Sequence, residues 1–165
     1  LMVVVLLCLY LGTIVAANVL VAKVGPAAIG PVSFVLIGAD MVIRDMLHQK
    51  WQQGLGRRLA LLVLAGSALS ALFADTQTVA LASGVAFAVA FTVDAILYQL
   101  LLRTSWLERS MRSNAVSAFF DSVLFPTIAF GQFMPALIML NYVYKVCGSL
   151  FWAVAVKPLM EARDQ

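Results

Sequence analysis

The chain has 165 residues, of which 63% are hydrophobic and only 12% charged, with a net charge of +3. Its mean hydropathy is +0.99. A soluble domain runs near half apolar and a quarter charged, so this balance excludes one and indicates an integral membrane protein. The net positive charge gives no reason to expect nucleic acid, because the basic residues gather in a few loops, as membrane topology demands.

At about 20 apolar residues per span the chain has room for six spans and no soluble domain. The expected architecture is therefore all-α: one polytopic domain over 1–165, with six transmembrane helices in a compact bundle. The first segment covers 1–22 and closes at Lys23 and the turn-rich Gly25-Pro26-Ala-Ala-Ile-Gly30-Pro31. The chain starts at Leu1, which gives the expectation of a trimmed start. Ala16-Ala17 offers the small residues of a signal-peptide cleavage site, but the apolar run is long for one and is expected to span. The second segment is 29–46, the third 59–74, the fourth 78–102, the fifth 114–133 and the sixth 135–157, with proline and glycine marking the joints.

Loop charge sets the expected orientation. Arg44, Lys50, Arg57, Arg58, Arg103, Arg109, Arg112, Lys157 and Arg163 fall on one side, and Lys23 on the other. The positive-inside rule then places both termini in the cytoplasm, in a cytoplasmic (inner) membrane. Gly66, Ser70 and Ala74 lie four apart, as do Ala80, Gly84 and Ala88. Such stripes let backbones approach in lipid and predict tight packing of the third and fourth helices. Cys8 and Cys147 lie in apolar runs and read as reduced packing residues, with no disulfide framework and no metal-ligand spacing.

The chemistry sits in the ionisable residues inside apolar segments. A carboxylate near the middle of a span costs several kcal/mol unless it faces protein or water. Asp94 lies nine residues before Arg103 and Asp121 nine after Arg112, which puts each roughly 13 Å into the membrane at 1.5 Å per residue. Two carboxylates are thus expected at similar depth on successive helices. Lys145 lies deeper, twelve residues before Lys157, about 18 Å by the same rise. Asn114, Ser117 and Asp121 share one helical face; so do Asn141, Lys145 and Gly148; Asp94 and Tyr98 are one turn apart. Asn18 stands near the outer end of the first segment. Asp40 and Arg44 stand one turn apart near the inner end of the second, where an interfacial ion pair and a ligand role are both open. Lys145 either neutralises Asp94 or Asp121 or meets a ligand. Pro126 clashes with the carbonyl of Ser122, which concentrates polar capacity beside Asp121. His48 reads as a solvated loop residue. Phe91, Phe119, Phe120, Tyr142 and Trp152 are aromatics of which one or two could stack on a flat ligand. No metal cluster, nucleophile motif or phosphate loop supports an enzyme, and no cofactor is expected.

Four stretches resemble one family. They are Ala16-Ala17-Asn18-Val-Leu-Val with Pro31-Val-Ser33-Phe-Val-Leu-Ile-Gly-Ala-Asp40-Met-Val-Ile-Arg44; Phe91-Thr-Val-Asp94-Ala-Ile-Leu-Tyr98; Arg112-Ser-Asn114-Ala-Val-Ser117-Ala-Phe-Phe-Asp121-Ser-Val-Leu-Phe125-Pro-Thr-Ile-Ala-Phe130-Gly; and Asn141-Tyr142-Val-Tyr144-Lys145-Val. In this order they resemble the YhhQ or VUT family of queuosine-precursor transporters. Asn141 stands where that family is expected to carry an acidic residue, and Phe91 where Gln is common. The resemblance implies a six-helix importer of deazaguanines such as 7-cyano-7-deazaguanine (preQ0), with an arrangement similar to the substrate-binding subunits of vitamin ECF transporters. A vitamin- or nucleobase-binding subunit of an ECF-type ATP-driven importer is the alternative, and a structural membrane protein is disfavoured by the buried charges. The expected partners are a purine-like small molecule and the lipid bilayer; a homo-oligomer stays open. A guanine-type edge presents a ring N–H beside an exocyclic amine, and a carboxylate accepts both in a bidentate contact. Asp94 or Asp121 suits that edge, with Lys145 and Asn114 for the ring carbonyl or substituent. Asn18, Asp40, Arg44 and Asn141 complete the candidate substrate set.

Overall fold

The computed structural model describes residues 2–51, 55–73 and 76–161. Six helical segments run in order. Helix α1 is Met2–Val24; α2 covers 29–50 and is built from Ile29–Val32, a π turn at Ser33–Ile37 and Gly38–Lys50. Helices α3 (Leu55–Ala71), α4 (Gln77–Leu100), α5 (Trp106–Phe130) and α6 (Pro135–Glu161) follow. No strand occurs among the described residues. Ala74, from the first small-residue stripe, and Arg163, from the charge pattern, lie outside them.

Four helical runs are long and apolar enough to cross a membrane: Met2–Lys50, Gln77–Leu100, Trp106–Phe130 and Pro135–Met160. The protein is thus a multi-pass membrane protein. The first run doubles back. Thr13 Oγ1 donates to Asp40 Oδ1 at 3.2 Å, whereas a straight helix would hold two residues 27 apart at about 40 Å. Gly25 makes the reversal with a φ of +78°, which favours glycine, and Pro26 opens the short 3-10 turn Gly25–Ala28 behind it. α3 is shorter, with its apolar part at Ala60–Ala71.

Side-chain periodicity explains the packing. On α1, Tyr10, Ile14, Ala17 and Val21 face inward, while Val4, Leu9 and Leu20 face outward. Both faces are apolar because lipid replaces water on the outside. Apolar burial then gives helix association little drive, and close packing and interhelical hydrogen bonds take over. α4 lies along α5, α5 along α6, and α6 along α2.

Several sequence expectations change here. α5 begins at Trp106, not at 114, because Ser105 caps it by accepting from the Glu108 backbone N–H at 3.3 Å. Ser-x-x-Glu is the capping pattern that marks this start. Arg109 and Arg112 therefore lie on the helix, where exposed Arg112 pairs with Glu108 at 2.6 Å. Cys8 and Cys147 are free and exposed, so they do not pack the core. The small-residue stripes do not close α3 tightly on α4 along its length. A groove of ≈ 970 Å³ runs between them, lined by residues such as Ala60, Ala68, Leu81 and Ala88. Gly66 and Ser70 turn instead to α1: a Cβ on Gly66 would lie 3.1 Å from Ile14, and Ser70 accepts from Asn18 at 2.9 Å. Gly84 does meet α3, at Ser67.

A close backbone crossing joins α2 to α6. A Cβ on Gly38 would lie 2.6 Å from the Gly148 carbonyl carbon, and one on Gly148 would run into the Phe34 backbone. Trp152 Nε1 donates to the Val35 carbonyl at 3.0 Å, tying the π turn to α6. Backbone cannot step aside as a side chain can, and overpacking of this kind costs about 1–3 kcal/mol. Gly148→Ala is therefore expected to lower the melting temperature in detergent. Gly12→Ala, with nothing within 4 Å of its added carbon, should leave it unchanged or raise it, since alanine is the better helix former. Equal melting of the two variants would contradict the crossing.

Candidate functional site

All eight residues picked from the sequence face protein rather than lipid. Asn18, Asp40, Arg44, Asp94, Asn114, Asp121, Asn141 and Lys145 are each at most 4% exposed. They form a polar column through the bundle, supplied by α1, α2, α4, α5 and α6.

At one end of the column, Arg44 Nε pairs with Asp94 Oδ2 at 3.2 Å, and Arg44 Nη2 donates to Asn114 Oδ1 at 3.1 Å. Asn114 Nδ2 donates to Asp45 Oδ2 at 2.8 Å, and the Ser110 hydroxyl donates to the same oxygen. One guanidinium thus bridges α4 and α5, and one amide passes the connection back to α2. Outside this knot His48 stacks on Tyr98 with ring centroids 4.1 Å apart. The Arg109 guanidinium lies over the Tyr98 ring, 4.5 Å from its centroid. His48 is 3% exposed, which corrects its reading as a solvated loop residue; α2 runs on to Lys50 and keeps the ring inside.

In the middle, Asp40 accepts from Thr13 and lines a small cavity with Arg44, Ser117 and Asp121. Arg44 bonds Asp94 rather than Asp40, so the interfacial Asp40–Arg44 pair is not formed. Asp121 pairs with Lys145 across α5 and α6. Of the two carboxylates open to Lys145, it takes Asp121. At the other end, Ser33 Oγ donates to Asn141 Oδ1 at 2.6 Å, and Asn18 donates to Ser70.

Asp94 and Asp121 are not level. Arg44 ties Asp94 to Asn114, and Asp121 lies seven residues further along α5, about 10 Å at the α-helical rise. The anchor argument failed because Arg112 does not mark the helix start.

A second cavity opens beside Asp121 and Lys145, with Asn18, Ser33, Ser83, Phe87 and Phe125 on its walls. The two cavities share Ile37, Phe87 and Asp121. Their volumes are ≈ 20 Å³ and ≈ 10 Å³. About 10–15 Å³ on this measure holds one water, so a flat heterocycle enters only when helices part. Hydrogen-bonding capacity is unused around them: among the described residues Asp121 Oδ1, the Ser122 hydroxyl and Asn141 Nδ2 have no partner.

The aromatics on the cavity wall are Phe87 and Phe125. Of those picked from the sequence, Phe119 and Phe120 are exposed, and Phe91 packs with Leu6, Val42 and Tyr98 instead. Helical spacing carried the missed signal. Phe87 stands two turns before Asp94 and Phe125 one turn after Asp121, each on its carboxylate's face. Asp45, Ser33, Ser83 and Ser110 were also missed. Such a column can hold a polar ligand inside an apolar shell and orient it by charge.

A family model described as "Putative vitamin uptake transporter" matches residues 3–159. No curated protein and no solved structure matches the chain.

Proposed function

Because the chain belongs to the vitamin uptake transporter family, we propose that it imports a flat, polar, purine-like base across the cytoplasmic membrane, a queuosine precursor such as 7-cyano-7-deazaguanine. Family and membrane helices together point to a transporter and not an enzyme. The observation that carries the substrate class is the cavity flanked by Phe87 and Phe125, with the Asp121–Lys145 pair on its wall and unused donors and acceptors beside it. The substrate's ring N–H and exocyclic amine take Asp121, which Lys145 partners until the base arrives. Lys145 and Asn141 then meet the carbonyl or substituent, and the phenyl rings stack on the base. Asp121 lines both cavities and Asp94 neither, so Asp121 is the stronger recognition residue. Asn18 completes the cavity wall. Asp40 and Arg44 line the adjoining cavity, and Asn114 holds Arg44 in place.

In this reading the six helices make six spans, in an arrangement similar to ECF substrate-binding subunits, with both termini and the α2–α3 and α4–α5 loops in the cytoplasm. Fusing a cytoplasm-active and a periplasm-active reporter to the C-terminus tests the topology. Activity of the cytoplasmic reporter alone is expected, and activity of the periplasmic one alone would mean a miscounted span.

Uptake of labelled 7-cyano-7-deazaguanine tests the substrate, in cells blocked in queuosine synthesis and lacking their own importer. Restored uptake from this chain alone supports a lone transporter. The family description favours a second ligand class, a vitamin, delivered through an ECF-type complex. Uptake only when an ATPase and a coupling protein are co-expressed, or competition by vitamins and not by deazaguanine, would select that reading.

A further inference from the structure

The buried charges of the column do not balance. Among the described residues four carboxylates are buried, Asp40, Asp45, Asp94 and Asp121, against the cations Arg44, Lys145 and Arg109. Arg109 donates to the Leu102 carbonyl and lies over Tyr98, outside the column. Lys145 serves Asp121 and Arg44 serves Asp94, which leaves Asp40, bonded by the Thr13 hydroxyl, and Asp45 without an ion pair among the described residues. Asp45 is fully buried, with Asp94 and Arg44 as its charged neighbours. Its hydrogen bonds come only from neutral groups, Ser110 and Asn114, both on Oδ2, and Oδ1 has no partner among the described residues. Two carboxylates thus stand around one guanidinium in a membrane interior, where an uncompensated charge is expensive and such acids serve as proton relays.

We propose that Asp45 is a proton-binding site whose proton travels with the imported substrate, so that the proton gradient drives uptake. The carboxylate takes H⁺ from water on the outer side, forming a neutral acid, and returns it to water on the cytoplasmic side. No other group is consumed. A proton fits this site better than a metal cation. Ser110 and Asn114 aim hydrogens at the carboxylate where a cation would need oxygens, and no group of three or more His, Cys, Asp or Glu gathers there among the described residues. Asn114 connects the site to the cavity: one end of its amide holds Asp45 and the other accepts from Arg44, which lines the cavity shared with Asp121. A change of charge on Asp45 is therefore felt where the substrate sits, and the coupling is reciprocal. The other titratable groups facing this knot are Asp40 and His48 on α2, Tyr10 on α1, Tyr98 on α4 and Arg109 on α5. The transport half of the inference rests on the import reading; the proton site does not.

Two measurements on the full-length purified protein test it. In pH-difference infrared spectra without substrate, wild type should show a protonated-acid carbonyl band that Asp45→Asn lacks. Ser110→Ala, which removes one donor, should move the pH at which the band appears. In proteoliposomes one proton per substrate predicts about tenfold accumulation of deazaguanine per unit of inside-alkaline gradient, falling to equal concentrations in Asp45→Asn. A band unchanged in Asp45→Asn and Ser110→Ala overturns the proton site. Wild-type accumulation that ignores the pH gradient, or follows sodium, overturns the coupling. Wild type that shows the band but never carries deazaguanine removes the substrate reading alone and leaves the proton site standing.

Discussion

Lys145→Met is expected to cost the protein most of its membrane expression as well as its uptake. Lys145 is 2% exposed and pairs with Asp121 between α5 and α6. Methionine fills much of the volume but leaves the carboxylate buried without a partner. Breaking a buried pair on one side costs roughly 3–5 kcal/mol. Adding Asp121→Asn removes the stranded charge, so the double variant should return to near wild-type expression. Uptake should stay at background, because an amide cannot accept two hydrogen bonds along one edge as a carboxylate does. Adding Asp94→Asn to Lys145→Met should rescue nothing, since Asp94 belongs to Arg44. Membrane-fraction immunoblots and labelled-substrate uptake read both halves. A Lys145→Met/Asp121→Asn protein no better expressed than Lys145→Met would show that Lys145 does not pair with Asp121.

Arg44→Met should be at least as damaging. Arg44 reaches Asp94 at 3.2 Å and Asn114 at 3.1 Å on two different helices. Its loss strands Asp94 and takes away the cation beside Asp45, so the same roughly 3–5 kcal/mol applies and accumulation in the membrane should collapse. Arg44→Lys separates charge from geometry. An ammonium restores the positive charge but lacks the planar fork that serves two acceptors at once. Expression is therefore expected to recover in part while uptake remains low. Wild-type uptake by Arg44→Lys would mean that charge alone matters and that the bridge to Asn114 is incidental.

The legible part of this protein was whatever helical spacing and desolvation cost determine together. Asp121 and Lys145 stand out because each is a lone charge in an apolar run, and both face inward as their neighbours' spacing requires. The shared faces of Asn114, Ser117 and Asp121, and of Asn141, Lys145 and Gly148, are buried in the same way. What escaped was local or tertiary. Asp45 sits next to Arg44 near the expected end of a segment, where a charge passes for a loop residue; only the continuation of α2 to Lys50 places it inside. The start of α5 was hidden because 106–113 is polar, although Ser105 and Glu108 spell out its cap. That one error displaced the depth of Asp121 relative to Asp94. The choice of Asp94 as the partner of Arg44 depends on how α2 meets α4, which no local pattern encodes.

The polarity of α2 also bears on how the chain is made. Its second half carries Asp40, Arg44, Asp45, His48 and Lys50 within thirteen residues. On insertion scales each acid or base at a helix centre costs about 2.5–3.5 kcal/mol, so lipid is a poor resting place for this helix by itself. Its partner Asn114 lies 70 residues further along the chain. Stable burial of α2 is therefore expected only once α4 and α5 have emerged. Nascent chains cut before α5 should leave α2 on the water side or be degraded, and those extended past it should shelter α2 within the membrane. The column proposed to recognise the substrate would thereby also set the order of assembly.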